Sequence, residues 1–149
     1  MIYITRDPLN EVEITETVRK SSNGAMITFL GTTRDFSAGR NVLYLEYEAY
    51  QPMAENMFEQ ITKEVKEKWN ITDMSIAHRI GKLKIGETSL IVAIGSPHRK
   101  EAIAATDYTI DRIKKIVPIW KKEFFEGGEV WIGEEGKEYI EELSRLDSQ

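Results

Sequence analysis

Residues 42–50 read VLYLEYEAY, an alternation that puts Leu43, Leu45, Tyr47 and Ala49 on one face and Tyr44, Glu46, Glu48 and Tyr50 on the other. Side chains repeating with period two define a half-buried strand. The period then changes at once. Pro52 can open a helix without losing a needed N–H, and Met57, Ile61, Val65 and Trp69 recur every four residues, with Phe58 widening the stripe. Upstream, residues 25–31 (AMITFLG) form an apolar run short enough for a buried strand. Between the two strands, residues 32–41 are polar, and Gly31 and Gly39 bracket Arg34, Asp35 and Arg40, so this segment reads as a loop. Nearer the start, Met1 to Thr5 suits a short edge strand. Asn10 and Glu13 resemble a capping box, with Leu9, Val12 and Val18 predicting a first helix that closes near Gly24.

Downstream, residues 74–80 and 89–95 read as strands joined by a turn around Gly81 and Gly86. A helix is expected over 97–117, with Ile103, Ile110, Ile113 and Val117 facing inward and Pro118 as its stop. Residues 119–125 should be extended, Gly127 and Gly128 mark a turn, and 130–132 form a last strand. From Gly133 the chain is strongly acidic, expected as a short helix or a frayed end. Strands outnumber helices and their order is no regular βαβ alternation. The fold class is α+β.

At 149 residues the chain suits one domain, burying about two-thirds of its unfolded surface. No window reaches the ~18 apolar residues of a membrane span, and MIYITRDPLNE lacks a signal-peptide pattern; the expected compartment is the cytoplasm. Cysteine is absent, which excludes disulfides, thiolate metal sites and thiol nucleophiles together. The two histidines, His78 and His98, show no metal-ligand spacing, so no metal is expected. A net charge of −5 and a pI near 5.2 disfavour extended nucleic-acid binding.

Charge is not spread evenly. Residues 96–123, from SPHRKEA to IKKIVPIWKKE, hold seven cations against four carboxylates, a local +3 in a chain whose remainder sums to −8. Such a concentration suits a small anion. Ser96 stands where an N-cap belongs and Pro97 fits a first helical position, so helix amides with His98 and Arg99 could bind an anion; the plainer reading is a capped helix with solvated cations. Lys114 and Lys115 fall in the last helical turn, where cations favour the dipole's negative end without further function. Lys121 follows Pro118 and Trp120 in an extended segment, and if desolvated near other cations it could act as acid, base or nucleophile. Arg34, in a loop after a strand, could read a ligand or pair with Asp35 or Glu46. His78 reads as structural.

The strings GTTRDFSAGRNVLYLEYEAYQPMA, HRIGKLKIGE, SPHRKEA and KKIVPIWKKE occur in this order. With them the chain resembles the large, catalytic subunit family of molybdopterin synthase over about residues 1–135, leaving 136–149 as an acidic tail. The resemblance implies an α/β-hammerhead-type α+β fold with additional antiparallel strands. It implies a homodimer that binds, at each end, a small ubiquitin-like sulfur-carrier subunit, giving a heterotetramer. The implied reaction moves two sulfurs from the carriers' C-terminal thiocarboxylates onto cyclic pyranopterin monophosphate, producing molybdopterin without a cofactor of the enzyme's own. Carried onto this sequence, it implies catalytic roles for Lys114 and Lys121, and substrate binding by Thr32, Thr33, Arg34, His98, Arg99, Lys114, Lys121, Lys122 and Glu123. A chain without thiols cannot hold a persulfide, so sulfur would have to arrive on a partner. Two rival readings stand beside it: a non-catalytic adaptor for a ubiquitin-like Gly-Gly tail, and a small phosphate-binding hydrolase, the latter lacking a P-loop.

Overall fold

The computed structural model describes residues 1–132. Along them run β1 (Ile2–Thr5), α1 (Glu11–Glu16), β2 (Ala25–Thr32), β3 (Phe36–Ser37), β4 (Arg40–Ala49), α2 (Gln51–Trp69), β5 (Asp73–Arg79), β6 (Gly81–Lys84), β7 (Thr88–Ser96), α3 (Arg99–Ile116), β8 (Ile119–Phe125) and β9 (Gly128–Ile132). The expected boundary at 135/136 and the acidic tail lie outside the described residues.

Two sheets share the chain. The first has the order β1-β5-β7-β2, with β1 parallel to β5 and the other pairs antiparallel. Strand alternation sorts its residues onto two faces. Leu90, Val92 and Ile94 of β7 join Met74 and Ile76 of β5 against Phe58, Ile61 and Val65 of α2 and Ala102, Ala105 and Ile113 of α3. Ile91 and Ala93 point the other way, with Ala77, onto Ile14 and Val18 of the α1 segment. The second sheet runs β3-β4-β8-β9, with β6 also pairing β4. The domain is α+β with added antiparallel strands, as expected.

Several local expectations are corrected. Helix α1 spans six residues and ends at the C-cap Thr17, well short of Gly24; Asn10 does cap it, accepting from the Glu13 N–H. Val12 is exposed, and Ile14 with Val18 makes the inward contact. The strand at 25–32 is half-buried rather than fully buried, because β2 is an edge of its sheet. The polar segment 32–41 contains a tight hairpin, β3 to β4, turning through Ala38 (φ 51°) and Gly39 (φ 77°). The turn around Gly81 holds β6, whose polar GKLK hides a strand that crosses to the second sheet.

A register shift between Val42 and Tyr44, opposite Phe125 and Phe124, breaks the alternation at the start of β4. Val42 is therefore buried and Leu43 exposed, while Leu45 and Tyr47 keep the inward face. Ser96 is still a rung of β7, paired with Ala25, so α3 starts only at Arg99 and His98 occupies the N-cap position without a side-chain cap bond. Ile103 is exposed, and the inward stripe of α3 is Ala102, Ala105, Thr106, Thr109 and Ile113. Small residues on that stripe let the helix lie close to β7. Val117 turns extended before Pro118, and the chain passes directly into β8.

Candidate active site

Because β8 pairs β4 with Tyr47 opposite Lys121 and Leu45 opposite Glu123, Lys121 and Glu123 face inward together. Lys122, between them, faces outward. Its ammonium pairs with Glu129 at 2.8 Å and lies 5.4 Å and 5.1 Å from the rings of Phe124 and Trp131. Tyr44 stacks on Phe124 at 4.4 Å beside it. Two consecutive lysines thus occupy opposite faces of one strand, one neutralised by a carboxylate and the other turned toward the interior.

Lys121 is half-buried. Burial holds its ammonium below the ordinary lysine value; Glu123 opposes that shift, while Arg34 and Lys114 add to it as like charges. The four groups therefore share one electrostatic site although they come from three different segments. Lys114 arrives from the exposed last turn of α3, which leads into β8 through Val117 and Pro118.

Arg34 arrives on the loop between β2 and β3, and Thr33 fixes that loop. Thr33 is buried, and both its N–H and its hydroxyl donate to the Glu87 carbonyl, at 3.0 and 3.1 Å. The Gly86 N–H donates back to the Thr33 carbonyl at 2.7 Å. Glu87 is itself held by Arg79 at 2.7 Å and by the Lys84 N–H at 2.7 Å. Thr33 therefore spends its hydrogen bonds on the scaffold and presents its neighbour Arg34 to the site. Thr32 is exposed at the end of β2.

Glu123 is 4% exposed, and its Oε1 has no hydrogen-bond partner. Tyr47, which sequence reasoning placed on the inward face but not in the site, lies close to it. Burial pushes the Tyr47 phenol up, a hydrogen bond shared with the Ser89 hydroxyl acts against this, and the Glu123 charge adds to the rise. The signal was present in residues 42–50, as a polar tip on an otherwise apolar face. His78 meets the Tyr47 ring edge-on at 5.0 Å. Its Nδ1 lies 2.8 Å from the Arg79 carbonyl, and since a carbonyl only accepts, Nδ1 carries the proton. Burial holds this imidazole down to about 4, so it is neutral at pH 7 and structural.

His98 and Arg99 are exposed at the opposite end of α3. Lys114 lies fifteen positions along the helix from Arg99, a rise of about 22 Å. Within one chain the two halves of the basic stretch do not meet. Among the described residues no three His, Asp or Glu side chains gather as metal ligands, and no helix is long and apolar enough to cross a membrane.

Three cations, one of them half-buried and sharing its face of the strand with a buried carboxylate, can hold an anion, steady a developing negative charge and move a proton. A family model described as MoaE protein matches residues 4–116. The molybdopterin synthase catalytic subunit of Bacillus subtilis (strain 168) is 51% identical over 132 residues, spanning 89% of this chain and 84% of that protein. The X-ray structure of molybdopterin synthase from Staphylococcus aureus superposes with a TM-score of 0.84 at 46% identity, covering 87% of this chain and 95% of the other. A chain in the complex of subunits 1 and 2 of molybdopterin-converting factor from Helicobacter pylori 26695 has a TM-score of 0.74 and covers 91% of this chain; at 22% identity it speaks to the fold alone.

Proposed function

The chain belongs to the MoaE protein family, and on that premise we propose that it is the catalytic half of a molybdopterin synthase acting in the cytoplasm. It transfers sulfur from the C-terminal thiocarboxylate of a small ubiquitin-like carrier subunit to cyclic pyranopterin monophosphate. The observation that carries this reading is the convergence of Arg34, Lys114 and the half-buried Lys121. An anionic phosphate and an anionic thiocarboxylate need cations at one point, and desolvation strengthens each contact. Lys114, exposed on the helix end, orients and activates the carrier's tail. Lys121 steadies charge and moves protons as the cyclic phosphate opens. On each carrier the C–S bond gives way to a C–O bond, water supplying the oxygen, so the carrier leaves as a carboxylate. On the pterin one new C–S bond replaces the ester C–O bond as the cyclic phosphate opens, and the other replaces a C–O bond whose oxygen leaves as water. Two sulfurs therefore consume two thiocarboxylates.

The distance along α3 bears on assembly. A pterin phosphate held at Lys114 and Lys121 is far too small to reach His98 and Arg99 of the same chain. A homodimer that brings the second copy's α3 N-terminus to the first copy's lysines would complete the site, and a carrier at each end makes a heterotetramer.

Incubation with cyclic pyranopterin monophosphate and thiocarboxylated carrier tests the reading directly. Molybdopterin should form, and Lys114→Ala and Lys121→Ala should each abolish it while still binding carrier. Carrier binding without any conversion by the unaltered protein would leave the adaptor reading in its place.

A further inference from the structure

We infer that Glu123 is a positioning residue: its buried carboxylate, facing inward beside Lys121, keeps that lysine a cation aimed at the reacting groups and does not itself touch the substrate. The inference rests on Lys121 acting as proposed above, and it departs from the substrate-binding role that the family resemblance implies for Glu123.

The sheet leaves Glu123 little else to do. Its lateral neighbours are Leu45 on β4 and Val130 on β9, both buried and apolar. A buried carboxylate without a partner is costly, yet Oε1 has none. The groups facing it are few. Tyr47 from β4 brings a phenol whose ionisation burial disfavours, and Arg34 and Lys114, from the β2–β3 loop and α3, bring the like charges felt at Lys121. Ile132, opposite Lys121 on β9, offers no charge. Lys121, two residues along and on the same face, is the cation within the strand's own geometry.

Direct contact with either reacting anion is also the wrong chemistry for this side chain. Phosphate and thiocarboxylate are both anions, and a carboxylate facing them would repel them. Beside Lys121 on the same face of β8, the same charge helps. Arg34 and Lys114 disfavour a third cation beside them, and Glu123 offsets that repulsion. Lys121 can then arrive at the substrate charged.

The test is a titration of Lys121 followed by its side-chain carbon resonance, assigned by Lys121→Arg, in the protein without substrate or carrier. Glu123→Gln should lower the midpoint by about one pH unit, and Glu123→Asp should give a smaller shift in the same direction. In molybdopterin synthesis the alkaline limb of kcat should move down with it, while KM for the pterin stays put. An unchanged Lys121 midpoint would overturn the inference, as would a large rise in KM with kcat and its pH profile intact. Should Glu123→Gln fail to fold, Glu123→Asp decides by the same criterion. The titration needs no turnover, so it stands apart from a failure to make molybdopterin, which would count against the proposed function instead.

Discussion

The guanidinium of Arg112 grips the Glu64 carboxylate with two bonds, Nε to Oε1 at 2.9 Å and Nη2 to Oε2 at 3.0 Å, and so ties α3 to α2. The Tyr108 hydroxyl donates to Oε1 at 2.7 Å and Gln60 donates to Oε2 at 3.1 Å. With Arg112 as the main cause, the Glu64 carboxyl is held down to about 2 from an ordinary 4.5. The folded state therefore binds the proton less readily than the unfolded state, and the contribution is complete above pH 4.5 and lost as pH falls toward 2. Glu64→Gln should cost roughly 1 to 2 kcal/mol at neutral pH, kept modest because the pair is partly solvated. Urea midpoints at pH 6 and pH 2 should show the gap between variant and unaltered protein closing at the lower pH.

A second acid-sensitive element works in a higher window. His78 is held neutral at about 4 against an ordinary 6.5, because burial disfavours its charged form. Its depressed value means stability is fully present above pH 6.5 and falls as pH drops from there toward 4. The loss reaches about 3 kcal/mol. His78→Gln should flatten the melting temperature between pH 6.5 and 4 while leaving the lower window of Glu64 in place. A slope in the upper window equal to that of the unaltered protein would count against His78 as its source.

Much of the fold could be read from hydrophobic period, and the failures share a cause. The repeat of Met57, Ile61, Val65 and Trp69 every four residues, widened by Phe58, marked α2 correctly, and Phe58, Ile61 and Val65 are its buried large residues. The same counting chose Ile103 for α3, where Ala102, Ala105 and Thr109 in fact face the sheet. Close packing there selects small side chains, which periodicity undervalues. Leu43 went outward because a bulge resets the alternation, and β6 stayed hidden because its side chains are mostly polar while its backbone pairs with β4. In the site, the sequence singled out Lys121 as a lysine open to desolvation but gave its neighbours no face, and only the pairing with β4 separates an outward Lys122 from an inward Lys121 and Glu123. The helix expected over 97–117 already set SPHR a helix length from Lys114, and α3 keeps that separation.

Thr33 offers a test of how the Arg34 loop is held. Thr33→Val keeps the side chain's shape but removes the hydroxyl that donates to Glu87 at 3.1 Å. The N–H bond to the same carbonyl remains, so the protein should fold with a loss of about 1 kcal/mol. Loosening Arg34 should raise KM for the pterin several-fold, with carrier affinity unchanged. Steady-state kinetics alongside a thermal melt would separate the two effects, and an unaltered KM would show that Thr33 stabilises the fold without positioning Arg34.

The shared-site dimer makes the most discriminating prediction. Arg99→Ala and Lys114→Ala alter opposite ends of α3, about 22 Å apart in one chain. If a site takes Arg99 from one copy and Lys114 from the other, each variant alone has both sites damaged. A mixed dimer then collects both changes in one site and leaves the second intact. Co-expression of the two variants should form mixed dimers as half of the population, each with one working site. Activity should return to about a quarter of the unaltered protein's. Tagging the variants differently and purifying the mixed species should raise this to about half. Activity no higher than that of the separate variants would mean that each site draws Arg99 and Lys114 from the same chain, or does without one of them.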